Sequence, residues 1–494
     1  MWKAHRPYAP LGSLYAASYA RQAGYQVRFF DAMLARSEAE WADALDRERP
    51  AVAMLYEDSF NYLTKMCLHR MREAALEMIA AATRRGIPIV VAGSDATDHP
   101  SIYLEHGARA VIAGEGEVTL VDVVGALRRG TADLSSIPGL VVLRDGRTVR
   151  TPPRAVMRDL SVLPRPAWDL VDVERYRAVW QAHHGHFSMN ITTTRGCPYH
   201  CNWCAKPIYG QRYTARPADD VAEEIAWLKA TYRPDHLWIT DDIFGLKPGW
   251  IEAFAAALVT RAAVTPFKCL MRADNVTPAV VGALRIAGCR AVWLGAESGS
   301  QRVLDAMEKG TRVEQIESAS TLLHDAGIDV GFFLQFGYPG ETIADIELTL
   351  AMVRRCRPDD IGISVSYPLP GTPFHDRVRA QLGAKQTWHD SADLAVMYRA
   401  TYSPAFYRTL HALTHARFRF DRALDAWTHG YACGRLTRAE LRTIGAGAVS
   451  LLKLPTLSWR VKRQARQCHT GSPTAPIVPL LSQPAAALPS EQQP

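Results

Sequence analysis

The chain has 494 residues, 48% hydrophobic and 22% charged, with a formal net charge of +7, which excludes a disordered or fibrous protein and implies about two or three domains. Nine cysteines are too sparse for a disulfide framework, and no run of about 18 uncharged apolar residues or signal-peptide pattern is present, so a cytoplasmic protein without a transmembrane segment is expected. The basic residues are dispersed among acids without interleaved aromatics, so no nucleic-acid partner is expected.

From the start, helical periodicity alternates with short β-branched runs, the pattern of a parallel α/β sheet. Leu11 to Ala23 predicts a helix, Gln26 to Phe30 a strand, Glu38 to Arg49 a helix and Ala51 to Tyr56 a strand. Helix Leu63 to Arg85, strand Pro88 to Ala92, a short helix, strand Ala110 to Ala113 and helix Glu117 to Arg129 follow. Gly139 to Arg150, turning at Asp145-Gly146, predicts a closing hairpin. Residues 1–150 therefore form a doubly wound domain, and the proline-rich stretch within residues 151–186 a linker.

Residues 187–385 alternate again, with strands at Ser188 to Thr194, His236 to Thr240, Lys268 to Arg272, Ala291 to Gly295, Val330 to Phe336 and Ile361 to Tyr367. Six βα units indicate an open or partial barrel of the TIM type, whose chemistry belongs at the carboxyl ends of its strands. Residues 386–466 are mainly helical. Trp388, Met397, Tyr398, Tyr402, Phe406, Tyr407 and Phe418 there roof the barrel mouth or simply pack on it. The basic stretch Arg460 to Arg466, after apolar Leu451 to Leu457, is a solvated helix end, or a contact with an anionic membrane surface or a partner. Residues 467–494 lack the apolar anchors to order themselves. His183, His184 and His186 lie just before the first barrel strand, as a solvated linker or a metal site.

The chemistry-bearing segment is Thr193-Thr194-Arg195-Gly196-Cys197-Pro198-Tyr199-His200-Cys201-Asn202-Trp203-Cys204, with thiols at C-x₃-C-x₂-C spacing. Three thiolates holding a [4Fe–4S] cluster leave one iron with an exchangeable position. A structural zinc would want a fourth Cys or His at fixed spacing, and a zinc knuckle or coincidental thiols stand as the alternatives.

Placed after a first barrel strand, with Gly196 for the turn and Trp203 before the last cysteine, this segment resembles the radical S-adenosylmethionine (SAM) superfamily. The resemblance runs from about Phe187 to Gly383. It implies that Cys197, Cys201 and Cys204 hold the cluster and that the open iron chelates the amino and carboxylate groups of SAM. One-electron reduction then yields a 5′-deoxyadenosyl radical, the electron coming from a reductase or a flavodoxin or ferredoxin. It further implies SAM contacts at Trp203, at Asp241 and Asp242 (methionine amino group), at Arg272 (methionine carboxylate, as a bidentate donor), at Glu297 (ribose) with Ser298, and at Gly337 and Pro339 in the turn ending at Glu341 (adenosyl group). Each feature alone has a bland explanation as a cap, a surface pair or a turn; their placement at successive strand ends is the argument. No catalytic residue acting on substrate is singled out.

The first block resembles the cobalamin-binding domain preceding the barrel in one branch, which includes anaerobic magnesium-protoporphyrin monomethyl ester cyclase and radical C- and P-methylases. The likenesses are Pro10-Leu11-Gly12, Ala23-Gly24-Tyr25, Ala92-Gly93-Ser94 and Gly114-Glu115-Gly116-Glu117. They imply a cobalamin site drawn from Tyr56, Gly93, Ser94, Gly114, Glu115 and Gly116, at the carboxyl ends of the strands. The Asp-x-His-x-x-Gly motif is absent. So is the buried strand that the family places before the Pro-Leu-Gly helix, which leaves neighbouring strands with unpaired backbone. The expectation is an assigned start downstream of the true one, with a degenerate domain as the alternative.

Three functions follow: a cobalamin- and SAM-dependent enzyme that methylates or oxidatively cyclises a large hydrophobic or tetrapyrrole-like small molecule; a radical SAM enzyme whose first domain recruits substrate without cobalamin; or a non-catalytic iron–sulfur carrier or sensor.

Overall fold

A computed structural model describes residues 6–57, 69–383, 394–432 and 436–467. The first sheet holds β1 (Ala53–Tyr56), β2 (Ile89–Ala92), β3 (Ala110–Ile112), β4 (Leu140–Arg144) and β5 (Arg147–Arg150), in that spatial order. β1 to β3 are parallel, and β3 to β5 continue antiparallel through the Asp145-Gly146 turn. Helices cover both faces. Trp41, Leu45, Met78 and Ile79 pack on one side, and Ala16, Ala20, Leu120 and Val123 on the other. Strand burial on both faces explains why β2 reads Ile-Val-Val-Ala rather than alternating.

The predicted strand at Gln26 to Phe30 is not one. Residues 25–30 have no regular secondary structure and, among the described residues, pair with nothing in a ladder. β1 ends the sheet on that side, and the interior cavity opens between the two. The physical reason is the absent neighbour: an extended segment becomes a strand only when a partner takes its backbone groups. β2 is wholly buried, whereas Met54, Leu55 and Tyr56 of β1 are only half so.

The second sheet contains β6 (Ser188–Ile191), and past it β7 (Thr194–Arg195) and β8 (Thr214–Ala215) form a separate small hairpin. β9 (His236–Ile239), β10 (Phe267–Met271), β11 (Cys289–Glu297), β12 (Asp329–Phe336) and β13 (Asp360–Val365) complete a parallel half-barrel in the order β6-β9-β10-β11-β12-β13. Period-two alternation sends Asn190, Trp238, Leu270, Trp293 and Phe333 into the lumen. The helices between strands start on conventional caps, such as Thr277 before Pro278 and the reciprocal Thr342/Asp345 box. Beyond the barrel the helices Pro404–Ala432 and Arg438–Arg466 pack as a hairpin. Trp388 and the tail from residue 468 lie outside the described residues. No described helix is long and apolar enough to cross a membrane.

Candidate functional site

Cys197, Cys201 and Cys204 sit on the irregular loop between β7 and β8, all as free thiols. Gly196 turns the chain at φ +78°, where a Cβ would stand 2.2 Å from the Arg212 carbonyl oxygen, so no other residue fits. The middle of the loop is tied across the barrel. The Asn202 amide N–H donates to Met307 O (3.1 Å), its Nδ2 to Ala306 O (2.8 Å), and Tyr338 donates its hydroxyl to Asn202 Oδ1 (2.9 Å). Burial pushes the Cys197 thiol up from its ordinary value.

The strand ends converge on this loop unequally. Trp203, Asp242, Arg272 and Glu297 line the same cavity as the three cysteines. The Arg272 guanidinium stacks 3.7 Å over the Tyr199 ring, pairs bidentately with Asp274 (2.9 and 2.8 Å), and donates to Thr311. Glu297 closes β11 in the left-handed region at φ +58° and accepts from buried Lys309 Nζ at 3.0 Å. Such backbone costs about 1–3 kcal/mol and persists where surroundings over-determine it.

Asp241 is placed differently from the expectation. Its carboxylate accepts from Thr192 Oγ1 (3.0 Å), the amides of Thr193 (2.7 Å) and Thr194 (3.1 Å), and the Thr193 hydroxyl, holding the turn from β6 into β7. Complete burial raises its pKa to about 6. Ser298 bonds Thr349 on the helix outside the barrel. Gly337 donates to Glu341 and accepts from the Tyr398 hydroxyl; neither Gly337 nor Pro339 is among the residues lining the cavity.

In the first domain, Tyr56 lines the large cavity, and Gly93 and Gly114 line a small hollow with Ile208 and Tyr209 of the cysteine loop. Ser94 is buried at the start of a short helix. Gly116 packs so tightly that a Cβ would lie 2.5 Å from the Tyr56 hydroxyl. Glu115 does not face the large cavity. With Glu117 it grips buried Arg195, each at 2.5 Å, while Glu115 also accepts from the Met157 amide. The rings of Tyr15 and Tyr209 flank the guanidinium at 5.7 and 5.3 Å. Arg195, Lys309 and Asn202 escaped the sequence analysis. Arg195 stands inside the cysteine motif, but nothing in spacing shows that its partners lie 80 and 78 positions away.

A cavity of about 1540 Å³ runs from the barrel lumen past the cysteines into the first domain, exceeding the roughly 300–1,000 Å³ of an ordinary ligand pocket. Among the described residues, no three His, Cys, Asp or Glu side chains converge tightly enough for a single metal ion. Three thiols bordering one cavity are a donor set for a four-iron cluster with one open iron, whereas a structural zinc would want a fourth ligand.

The model of the Radical SAM superfamily matches residues 191–353, which hold the cysteine loop and the strands around it. The chain thus carries a radical SAM superfamily domain over these residues. A B12 binding domain model matches residues 3–124. Together these domains imply a [4Fe–4S] cluster, SAM and cobalamin as cofactors. The chain is 27% identical over 298 residues to an uncharacterised methyltransferase of Pyrococcus horikoshii, covering 60% of the chain and 63% of that relative. It is 27% identical over 220 residues to the anaerobic magnesium-protoporphyrin IX monomethyl ester cyclase of Synechocystis, covering 44% of the chain and 43% of the cyclase. In fold it is similar to the radical SAM methyltransferase TsrM of Kitasatospora setae, solved with cobalamin and a [4Fe–4S] cluster. The TM-score is 0.63 at 21% identity, over 78% of this chain and 74% of that one.

Proposed function

We propose that this chain is a cobalamin-dependent radical SAM enzyme that methylates or oxidatively cyclises a large hydrophobic or planar small molecule. The observation that carries this is the shared cavity: three thiols from one loop, the Arg272 and Glu297 strand ends, and Tyr56 of the first domain all border a single space. Cys197, Cys201 and Cys204 would hold the cluster, which would supply one electron for cleavage of SAM to methionine and a hydrogen-abstracting 5′-deoxyadenosyl radical. We assign Arg272 and Asp242, which line this cavity, to the methionine end, and Glu297, held by Lys309, to the ribose. The electron donor is a reductase or a small flavodoxin- or ferredoxin-type protein.

The lumen supports the substrate class. The Trp293 and Phe333 rings lie 4.8 Å apart and tilted by 30°. They rest over Gly331 and Gly362, whose missing side chains leave room for rings flat on the sheet. Trp238 and Leu270 extend this apolar floor, which suits stacking of a flat ring system.

The test is anaerobic reconstitution. The expected result is about four irons per chain, lost in Cys→Ala variants, with a reduced-cluster electron paramagnetic resonance signal that changes when SAM is added. A signal indifferent to SAM sinks the enzyme reading in favour of an iron–sulfur carrier. S-adenosylhomocysteine formed alongside 5′-deoxyadenosine marks methyl transfer, and its absence sinks the methylase version. The open edge of β1 favours a second reading, in which the first domain recruits substrate without cobalamin; a retained corrinoid spectrum overturns it.

A further inference from the structure

The last helix, Arg438–Arg466, has two faces of opposite character. Its inner face carries Gly447, Ser450 and Val461, all buried. Gly447 meets Ala423 of the preceding helix so closely that a Cβ would stand 2.1 Å from the Ala423 methyl, and Arg419 donates to Ser450 Oγ at 3.1 Å. At 100° per residue, Leu441, Val449, Leu452 and Trp459 fall on the opposite side in one ridge. They are 54%, 54%, 81% and 58% exposed, an unusual concentration of large apolar side chains in water.

From Leu441 onward the charges along this helix have one sign, and Glu440, just before the ridge, is engaged in a capping box with Thr437. Between Leu441 and Arg466 the sequence carries Arg442, Lys453, Arg460, Lys462, Arg463 and Arg466 and no Asp or Glu. Arg442, Lys453 and Arg460 border the ridge on one side and Lys462 on the other, while Arg463 lies 5.3 Å from the Trp459 ring. An apolar strip bearing Trp and Leu, edged with basic residues and free of acids, is complementary to a bilayer surface. The side chains enter the acyl boundary and the cations meet anionic headgroups. The same helix is too polar to span a membrane.

We propose that this ridge docks the protein on the surface of an anionic lipid bilayer, with the Arg438–Arg466 helix lying in the interface. The proposal is independent of the cluster chemistry. It would place the barrel beside the phase into which a large hydrophobic substrate partitions.

The test is co-sedimentation of the full chain with vesicles of phosphatidylcholine alone and of phosphatidylcholine containing phosphatidylglycerol. The expected result is at least about tenfold more bound protein on the anionic vesicles, declining as salt screens the basic residues. Leu452→Glu, at a position so exposed that folding is unaffected, should abolish binding, and R460E/K462E should remove the preference for anionic lipid. Absence of binding, equal binding to both vesicles, or binding unchanged by Leu452→Glu overturns the proposal. Self-association in solution that Leu452→Glu abolishes, without vesicle binding, also overturns it and assigns the ridge to a second copy of the chain.

Discussion

Arg195, two residues before Cys197, donates from Nη2 to Glu117 at 2.5 Å while its Nη1 holds Glu115. One buried guanidinium thus fastens the cysteine loop to the helix start of the other domain. Arg216, at the far end of that loop, donates to the hydroxyl of Tyr15, whose ring lies beside Arg195. Removing one member of a buried ionic group leaves uncompensated charge and costs about 3–5 kcal/mol. Arg195→Met should therefore lower the unfolding free energy measured by denaturant titration by that order, with Arg195→Lys intermediate because an ammonium cannot fork to both acids. Pairing with Glu117→Gln in a double-mutant cycle should reveal strong coupling; additive effects would show that the contact is not formed in solution.

Gly196→Ala should spare the barrel and disable the cysteine loop. A Cβ there collides with the Arg212 carbonyl at a φ that L-residues avoid, so the loop must open. Far-ultraviolet circular dichroism should be unchanged while reconstituted iron falls to a small fraction of wild type. Full iron loading would show that the loop tolerates a different path.

Much of this arrangement is legible in the sequence because it rests on local patterns. Strand β2 is written as a continuous apolar run, the β4–β5 turn as Asp-Gly, and the three thiols by their spacing. What escaped depends on partners distant in sequence. Residues 25–30 have strand-like composition, yet pairing requires a neighbour that composition cannot reveal. Asp241 and Asp242 are identical in type and adjacent, and only the turn of β6 into β7 decides that the first ties threonines while the second lines the cavity. Glu115 suggested a cofactor ligand, but its nearest cation belongs to the other domain.

Glu341 gives the protein a pH signature. Burial raises its pKa from the ordinary 4.5 to about 8, with Oε2 accepting from the Gly337 amide and Tyr398 and Tyr407 nearby. Between those values the folded state holds a proton that the unfolded state has released. Stability from this group is therefore complete below pH 4.5 and lost as pH rises through 8, at up to about 1.4 kcal/mol per pH unit. Glu341→Gln keeps the shape and removes the titration, so its stability should fall less than that of wild type between pH 5 and 8, as read by urea unfolding at each pH. Parallel profiles would mean that Glu341 is ionised in the folded protein.

The flat lumen floor makes an ordered prediction about two glycines. On β12, a Cβ at Gly331 would stand 2.4 Å from the Trp293 ring, whereas one at Gly362 on β13 meets Phe333 and Trp293 at 3.2 and 3.4 Å. Gly331→Ala must lift the indole off the sheet into the space a planar substrate would occupy; Gly362→Ala needs only a small adjustment. Overpacking of the first kind costs about 1–3 kcal/mol. With protoporphyrin IX as the probe, followed by quenching of protein fluorescence, affinity should fall most for Gly331→Ala, little for Gly362→Ala, and substantially for Trp293→Ala, which deletes half the platform. Iron loading should be unchanged in all three, because none touches the cysteine loop. Equal affinity across the series would place the flat ligand elsewhere and leave the lumen floor as packing alone.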